Sequence, residues 1–232
     1  MKLEVLNLTK SFGNKEVLKN INFTFESGKI YGLLGRNGAG KTTFFNCLND
    51  DIKPDEGTFN MIEEKNVRPL TIDDIGYVLS TPTVPEFLTG REFLKFFLEI
   101  NEGKIQNEKT IDEYFEFMKI EQEDRDKLLK DYSHGMKNKM QMLVNIIANP
   151  NILLLDEPLT SLDVVVAEEM KDMLKSIKKE HILIFSTHIM DLALSLCDEI
   201  VILKKGTLSL VDHTLKGEEK KKKIIEMLRE DD

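Results

Sequence analysis

The sequence has few cysteines, no long hydrophobic run and no excess of positive charge. Its two cysteines, Cys47 and Cys197, lie in apolar segments without partners at metal-ligand spacing, so we expect two reduced, buried thiols. No stretch approaches the ~18–20 apolar residues that cross a bilayer, and the N-terminal residues lack the apolar core of a signal peptide. These absences predict a cytoplasmic chain without a membrane span of its own.

The charge balance bears on the class of partner. The formal net charge is -9, whereas binding to nucleic-acid backbones is driven by clustered lysine and arginine, so we expect no nucleic-acid partner. A chain of 232 residues with 41% hydrophobic content can form one domain with an inserted lobe. No Pro- or Ser-rich linker and no internal repeat divides it.

The segment 35–42 carries the strongest chemical signal. It reads Gly-Arg-Asn-Gly-Ala-Gly-Lys-Thr and fits the phosphate-binding loop G-x-x-x-x-G-K-[ST] at every fixed position. A loop that turns its N–H groups onto a phosphate needs glycines where φ is positive or where a Cβ would clash. A buried-strand run precedes the loop and an apolar helical face follows it, which disfavours an ordinary Gly-rich turn. The segment therefore predicts a nucleoside triphosphate site.

Residues of this loop have separate expected roles. Lys41 places its charge against the β- and γ-phosphates, and Thr42 offers its hydroxyl to Mg²⁺. The helix that begins near Gly40 directs its N-terminal dipole at the anion. The predicted nucleotide-binding residues of the loop are Gly35, Arg36, Asn37, Gly38, Ala39, Gly40, Lys41, Thr42 and Thr43.

A second chemical element is the apolar run 152–155 followed by Asp156 and Glu157. Carboxylates at the carboxyl end of a buried strand lie where α/β sheets bind ligands. Asp156 would hold Mg²⁺, directly or through water, and Glu157 would polarise or deprotonate the attacking water. Taken alone, this pattern fits a capped strand end equally well. The presence of the phosphate loop in the same chain favours the catalytic interpretation.

Apolar periodicity divides the chain into regions. Residues 1–35 alternate with turn signals, which predicts antiparallel strands. From about 85 to 148 helical spacing follows a capping box, Thr89-x-x-Glu92, and from 151 short apolar runs alternate with helical patterns, as in a parallel α/β sheet. We predict a single domain, with 1–84 and 149–210 as a β lobe and α/β core, 85–148 as an inserted helical subdomain and 211–232 as a helical tail.

Four segments occur in the order and spacing of one known family. They are the phosphate loop, Asp156-Glu157-Pro158, Ser161-Leu162-Asp163 and Ser186-Thr187-His188. The chain resembles the nucleotide-binding subunits of ATP-binding cassette (ABC) transporters over almost its whole length. The resemblance implies an α/β P-loop NTPase fold with a RecA-like parallel-sheet core, an antiparallel β lobe and an inserted α-helical subdomain.

The family's signature sequence, L-S-G-G-Q, corresponds here to residues 132–136. Ser133 and Gly135 match it, whereas His134 and Met136 depart from it. Helical spacing from Gly135 onward places Ser133 at or near an N-cap. The resemblance implies that two cassettes enclose two ATP molecules head to tail, so that Ser133 and Gly135 complete the partner's site.

The resemblance assigns further roles. Ser161 and Asp163 would link the two sites, His188 would contact the γ-phosphate, and Phe12 would stack on adenine. It implies an ATPase that uses ATP and Mg²⁺, pairs with a second cassette in a homo- or heterodimer, and drives a separate integral membrane permease. The chain would then be peripheral on the inner face of the cell membrane.

One departure concerns the end of the strand-like run 75–79. Many members of the family carry glutamine next, contacting the metal, and this chain has Ser80. Serine is too short to replace that reach without backbone movement or a water, so we predict slower hydrolysis with binding preserved. The segment 88–92 resembles antimicrobial-peptide exporter cassettes that also lack the glutamine, which favours peptide or antibiotic export.

Several alternatives stay open at this stage. A non-transport cassette acting on translation or DNA, or a binding-only switch cassette, would share the nucleotide site. Four rings at helical spacing fit either the core or a groove for a short helix of a membrane subunit. These rings are Phe87, Phe93, Phe96 and Phe97. The lysine-rich stretch 216–223 fits a solvated terminal helix better than a lipid-binding one.

Overall fold

The computed structural model describes residues 1–105, 109–160 and 162–229. The strands are β1 (Lys2–Phe12), β2 (Lys15–Glu26), β3 (Ile30–Leu34), β4 (Glu56–Glu63), β5 (Asn66–Pro69), β6 (Ile75–Val78), β7 (Ile152–Asp156), β8 (Ile182–Thr187), β9 (Glu199–Lys204) and β10 (Thr207–Leu210). The helices are α1 (Lys41–Leu48), α2 (Gly90–Ile100), α3 (Ile111–Phe117), α4 (His134–Ile147), α5 (Val164–Ile177), α6 (Met190–Leu196) and α7 (Gly217–Arg229).

The central sheet has six strands in the order β10-β9-β3-β8-β7-β6. The strands from β9 to β6 pair in parallel, and β10 adds an antiparallel edge. Every residue of β3, β7 and β8 is buried, because these short runs of branched and aromatic side chains are covered on both faces. Since β3, β8 and β7 are neighbours, the loops at their carboxyl ends meet at one edge.

A second, antiparallel sheet has the order β2-β1-β4-β5. Alternate residues of β1, such as Leu3 and Val5, are fully buried and point toward α1, which carries Phe44 and Phe45 into the same apolar cluster. One face of the central sheet, including Ile152 and Leu154, completes this cluster. The predicted antiparallel strand group is confirmed.

Helices α2, α3 and α4 follow β6 and pack on the other face of the central sheet. Thr89 caps α2 in the predicted capping box with Glu92, and Thr110 caps α3 in the same way. Leu94 of α2 and Phe115 of α3 are fully buried in one cluster with Leu153, Leu155 and Phe185 of the sheet. This arrangement of a mixed α/β core with a helical insertion is the predicted fold class.

The four rings of the aromatic segment divide into two pairs. Phe93 and Phe97 are partly buried against the core cluster, as the core interpretation predicts. Phe87 is 79% exposed and Phe96 is 53% exposed. The core interpretation is therefore wrong for these two, because they lie on the solvent side of α2 and of the segment that precedes it.

Helix α7 corrects the expectation of a solvated terminal helix. Its Ile224 is fully buried against Leu34, Ile200 and Ile202. The Lys204 side chain also donates to the carbonyl oxygen of Met227 at 2.8 Å. The spacing of the apolar residues gives the helix one face, which packs on the sheet, and Lys222 is exposed.

The two cysteines differ in burial. Both thiols are free; Cys47 is buried as expected, whereas Cys197 is only partly buried. Burial raises the pKa of the Cys47 thiol to about 11, with Asp55 adding to the shift while Lys10 opposes it, so this thiol stays protonated at neutral pH. None of the helices in the described ranges is long and apolar enough to cross a membrane.

Candidate nucleotide-binding site

The phosphate loop joins β3 to α1. Gly38 and Gly40 have φ of +78° and +106°, which side chains rarely adopt. A Cβ on Gly35 would lie 2.8 Å from the carbonyl oxygen of Leu203, so this position needs glycine for close approach. Arg36, Asn37 and Gly38 are exposed at the tip, and α1 begins at Lys41. The glycines thus serve the two purposes expected from the sequence.

Lys41 is buried within the loop. Its Nζ donates to the carbonyl oxygen of Gly35 at 3.0 Å and lies 3.5 Å from Oε1 of Glu157. The Lys41 side chain is 6% exposed, so its charge acts in a poorly solvated environment and interacts strongly with nearby anions. The side chain is therefore placed to hold a phosphate group above the loop.

Thr42 and Asp156 form the candidate metal site. The Thr42 hydroxyl donates to Oδ2 of Asp156 at 2.8 Å, and Ser186 donates to Oδ1 of the same carboxylate. Mg²⁺ prefers oxygen ligands and usually binds through one or two carboxylates together with substrate phosphates. In the described part of the chain, no group of three or more His, Cys, Asp or Glu could hold a metal alone. The hydroxyl and carboxylate fit a Mg²⁺ ion that arrives with the nucleotide.

Glu157 lies between Lys41 of the phosphate loop and His188 after β8. Its Oε2 is 3.0 Å from Nδ1 of His188, and its Oε1 faces Lys41. Its φ of +49° is uncommon for a residue with a side chain, and its N–H donates to Oγ of Ser186 at 3.0 Å and to the carbonyl oxygen of Ser186 at 3.2 Å. Ser186 therefore holds both the carboxylate of Asp156 and the backbone of Glu157, a role that no motif in the sequence predicts.

The phosphate loop, the carboxylate pair and His188 follow β3, β7 and β8 respectively. The chain is similar to known proteins in sequence and in fold. The family model described as ABC transporter matches residues 18–160. The uncharacterized ABC transporter ATP-binding protein MJ1023 of Methanocaldococcus jannaschii is 38% identical over 88% of this chain and 75% of its own length. The bacitracin transport ATP-binding protein BcrA of Enterococcus faecalis is 32% identical over 89% and 67%.

This chain belongs to the ABC transporter family. It is the ATP-binding, ATP-hydrolysing cassette of that family. A solved ATP-binding subunit of an ABC transporter shares the fold, with a TM-score of 0.81 at 22% identity over 98% of this chain and 99% of the other. A dimeric cassette, MJ0796, solved with ADP and Pi, has a TM-score of 0.74 at 23% identity over 89% and 96%.

Phe12 lies at the end of β1 in this cassette. Its ring is 49% exposed, and the Lys10 ammonium lies 5.5 Å from the ring centroid. The hairpin of β1 and β2 touches the phosphate loop, since a Cβ on Gly40 would lie 2.9 Å from Cγ1 of Val17. The ring is thus exposed on a hairpin that borders the loop, and stacking on adenine remains a prediction.

The signature residues start a different helix. Ser133 caps α4 by accepting from the N–H of Met136 at 3.2 Å, as predicted, and Asp163 caps α5 by accepting from the N–H of Val166 at 3.0 Å. A Cβ on Gly135 would lie 3.4 Å from Val166, so the two helix starts are neighbours. Among the described residues, no hydrogen bond or ion pair joins Ser133 to the phosphate loop. Ser161 lies outside the described residues.

Ser80 lies at the same sheet edge as the carboxylates. Strand β6 pairs in parallel with β7, with Val78 opposite Leu155, so Ser80 follows the strand beside Asp156. Its side chain is exposed. No hydrogen bond of its hydroxyl occurs within the described ranges, and its predicted role at the metal remains a prediction.

Proposed function

We propose that this cassette dimerises around Mg²⁺·ATP and drives a separate integral membrane permease. The observation that carries the proposal is the convergence of Lys41, Asp156, Glu157 and His188 at one sheet edge. This arrangement supplies a phosphate-binding cation, a metal carboxylate and a second carboxylate, Glu157, which lies between Lys41 and His188. Phosphoryl transfer needs such positioning and charge compensation more than covalent chemistry.

The reaction consumes ATP and water and yields ADP and phosphate. Lys41 compensates phosphate charge, and Glu157 accepts a hydrogen bond from the attacking water and aligns it. His188, which contacts Glu157 at 3.0 Å, orients that carboxylate and contacts the γ-phosphate. Thr42 and Asp156 would hold Mg²⁺, which would supply further neutralisation of phosphate charge.

A second cassette completes each site in this proposal. Ser133 is exposed at the start of α4, where backbone N–H groups and the helix dipole favour an anion. Asp163 is exposed at the neighbouring start of α5, beside Val164 and Val165, which are 79% and 68% exposed. These apolar side chains suit an interface. The dimeric form of the solved cassette MJ0796 supports this assembly.

The permease would dock on the helical insertion. Phe87, Phe96 and Ile100 are exposed there, and Phe96 and Ile100 lie four residues apart on one face of α2. An exposed apolar strip of this kind fits a short amphipathic helix of a membrane subunit. The cassette would then be held on the inner face of the cell membrane through its permease.

Peptide or antibiotic export is the transport direction and cargo class that the chain favours. The segment 88–92 resembles such exporters, and BcrA, a relative, is named for bacitracin transport. A binding-only switch cassette is the second candidate, because Ser80, His134 and Met136 all depart from the family pattern. ATP binding with turnover as low as that of a hydrolysis-deficient cassette would favour the switch function.

The proposal is tested by purification from membranes. A tagged chain expressed at native level and gently solubilised should copurify with a stoichiometric polytopic membrane protein. Phe96→Asp should abolish this copurification while ATP turnover by the isolated cassette stays unchanged, and Lys95→Asp, on the same helix but outside the apolar strip, is the matched control. Recovery only from the soluble fraction, with ribosomes or nucleic acid, would support a non-transport cassette instead.

A further inference from the structure

Helix α4 has one polar face within an apolar core. Asn138, Gln141 and Asn145 recur at i, i+3 and i+7, so they share one side of the helix. Asn138 and Gln141 are buried, with 1% and 6% exposure. Buried amides are costly unless they are hydrogen-bonded, so each one requires a partner. This polar face lies toward β6, along which α4 packs.

Two of the three amide side chains have hydrogen-bond partners. In the orientation that its neighbours dictate, the Gln141 amide nitrogen donates to the carbonyl oxygen of Leu79 at 3.2 Å, and its oxygen accepts from the N–H of Leu79 at 3.3 Å. Asn145 donates to the carbonyl oxygen of Gln141 at 2.8 Å. Gln141 therefore clamps both backbone groups of the residue that precedes Ser80.

The direction of the two elements follows from these contacts. A Cβ on Gly76 would lie 3.0 Å from Oδ1 of Asn145, whereas Leu79 meets Gln141. The helix thus runs antiparallel to the strand. Asn138 lies three residues, about 4.5 Å, nearer the start of the helix than Gln141. It is therefore displaced from Leu79 in the direction in which the chain continues to Ser80 and Thr81.

Asn138 is the unsatisfied member of the face. Neither its Oδ1 nor its Nδ2 has a hydrogen-bond partner among the described residues, and both atoms are inaccessible to solvent. An unpaired buried amide favours any rearrangement that supplies a donor and an acceptor. The segment after Leu79 carries two hydroxyls, at Ser80 and Thr81, and leaves the strand in the direction of Asn138.

We propose that Gln141 and Asn138 are positioning residues that couple the Ser80 segment to the signature helix. Gln141 holds Leu79 in place, and the Asn138 amide is the second docking point, which the segment takes when it moves to contact the nucleotide. The signature residue Ser133 starts the same helix, so both sites share one rigid element. The inference rests on the proposed role of Ser80 in nucleotide contact. In this proposal, the fixed backbone position of Ser80 compensates for the short reach of its side chain.

A double-mutant cycle in kcat tests the coupling. Gln141→Leu removes both hydrogen bonds at similar volume, and we expect it to lower kcat about tenfold with little change in KM for ATP. If Gln141 acts through the Ser80 segment, Ser80→Ala should lower kcat much less in the Gln141→Leu background than in the wild type. Additive effects on ln kcat would overturn the proposal. Asn145→Ala, on the same helix face but opposite Gly76, is the control and should be additive with Ser80→Ala.

A second variant tests the docking point directly. Asn138→Leu removes an unpaired buried amide, so we expect a raised Tm together with a lowered kcat. Turnover equal to that of the wild type, or a lowered Tm, would overturn the docking role. Failure of the proposed ATPase site is distinguishable, because it would appear as full turnover by Glu157→Gln in a chain whose α4 residues are all unchanged.

Discussion

Lys41 and Glu157 face each other across the site, with Nζ and Oε1 3.5 Å apart. The lysine belongs to the phosphate loop after β3, and the glutamate follows β7, two strands away in the sheet. The same ammonium group therefore lies beside both the expected position of the phosphates and the carboxylate that we propose aligns the attacking water. A change in the charge of Lys41 should therefore affect both ATP binding and the position of Glu157.

Removing the Lys41 charge should weaken nucleotide binding. Lys41→Ala deletes a charge-assisted contact to phosphate, and we expect the Kd for ATP to rise about 10- to 100-fold. A fluorescent ATP analogue and the unlabelled nucleotide in competition would measure it. Lys95→Ala, an exposed lysine on α2 paired with Glu99, is the matched control. An unchanged Kd in Lys41→Ala would contradict the assignment of the loop.

Ser133 should have two separable effects. Ser133→Ala removes the α4 cap and should cost about 1 kcal/mol of stability, as Thr110→Ala should at the cap of α3. Only Ser133→Ala should also lower ATP turnover, because Thr110 lies outside the proposed interface. Denaturant unfolding and steady-state ATPase, measured on both variants, separate the roles. Equal turnover in the two would exclude the contribution of Ser133 to the partner's site.

Asp74 makes stability depend on acid. Its carboxylate, 6% exposed, accepts two hydrogen bonds of 2.6 Å from Arg68 and one of 2.7 Å from Asn151. The Arg68 guanidinium holds the pKa of Asp74 far below its usual value, with burial opposing and Asn151 assisting. A depressed folded-state pKa stabilises the fold above the unfolded value of about 3.9 and loses that effect as pH falls through the folded value.

Asp74→Asn should therefore cost on the order of 2 kcal/mol at pH 7, less than a fully buried pair because Arg68 is one-third exposed. The difference from the wild type should be constant above about pH 5 and shrink below about pH 4. Urea unfolding at several pH values would measure it. Glu168→Gln, which breaks an exposed pair with Lys171, should show little effect. A difference that grows on acidification would contradict this account.

Substitutions of Phe12 and Phe87 should affect different measurements, the first ATP binding and the second association with the permease. Stacking of a base on an aromatic ring suggests that Phe12→Ala raises the Kd for ATP about tenfold, while Phe12→Tyr preserves it. Phe87→Ala should leave ATP binding unchanged and weaken the association with the permease. Calorimetry with ATP and copurification from membranes supply the two readouts. Loss of ATP affinity in Phe87→Ala alone would reverse the assignment.

Local signals in the sequence predict local structure well. The phosphate loop, the Thr89 capping box and the Ser133 cap depend on residues within a few positions of one another, so their outcomes follow from the sequence. The hydrogen bonds of Ser186 to Asp156 and Glu157 depend on β8 lying beside β7, which no local pattern encodes. Strand order is a property of the whole chain.

Exposure is the second quantity that sequence patterns leave undetermined. Phe93 and Phe96 share helical spacing, yet one packs on the core and the other is exposed, because the face that meets the sheet depends on how α2 is rotated. The same holds for α7, whose Ile224 is buried partly by Leu34 of β3, which is distant in the sequence. The spacing of the polar residues of α4 is present in the sequence, but the contact between Gln141 and Leu79 depends on how the helix packs beside β6.

The most direct test of the account is steady-state ATP hydrolysis by Glu157→Gln at saturating ATP, beside its affinity for ATP. The substitution keeps the size of the side chain and removes the carboxylate that aligns water. We expect turnover reduced at least about 100-fold with ATP affinity within about twofold of the wild type. Turnover close to that of the wild type would contradict it and would remove Glu157 from the reaction.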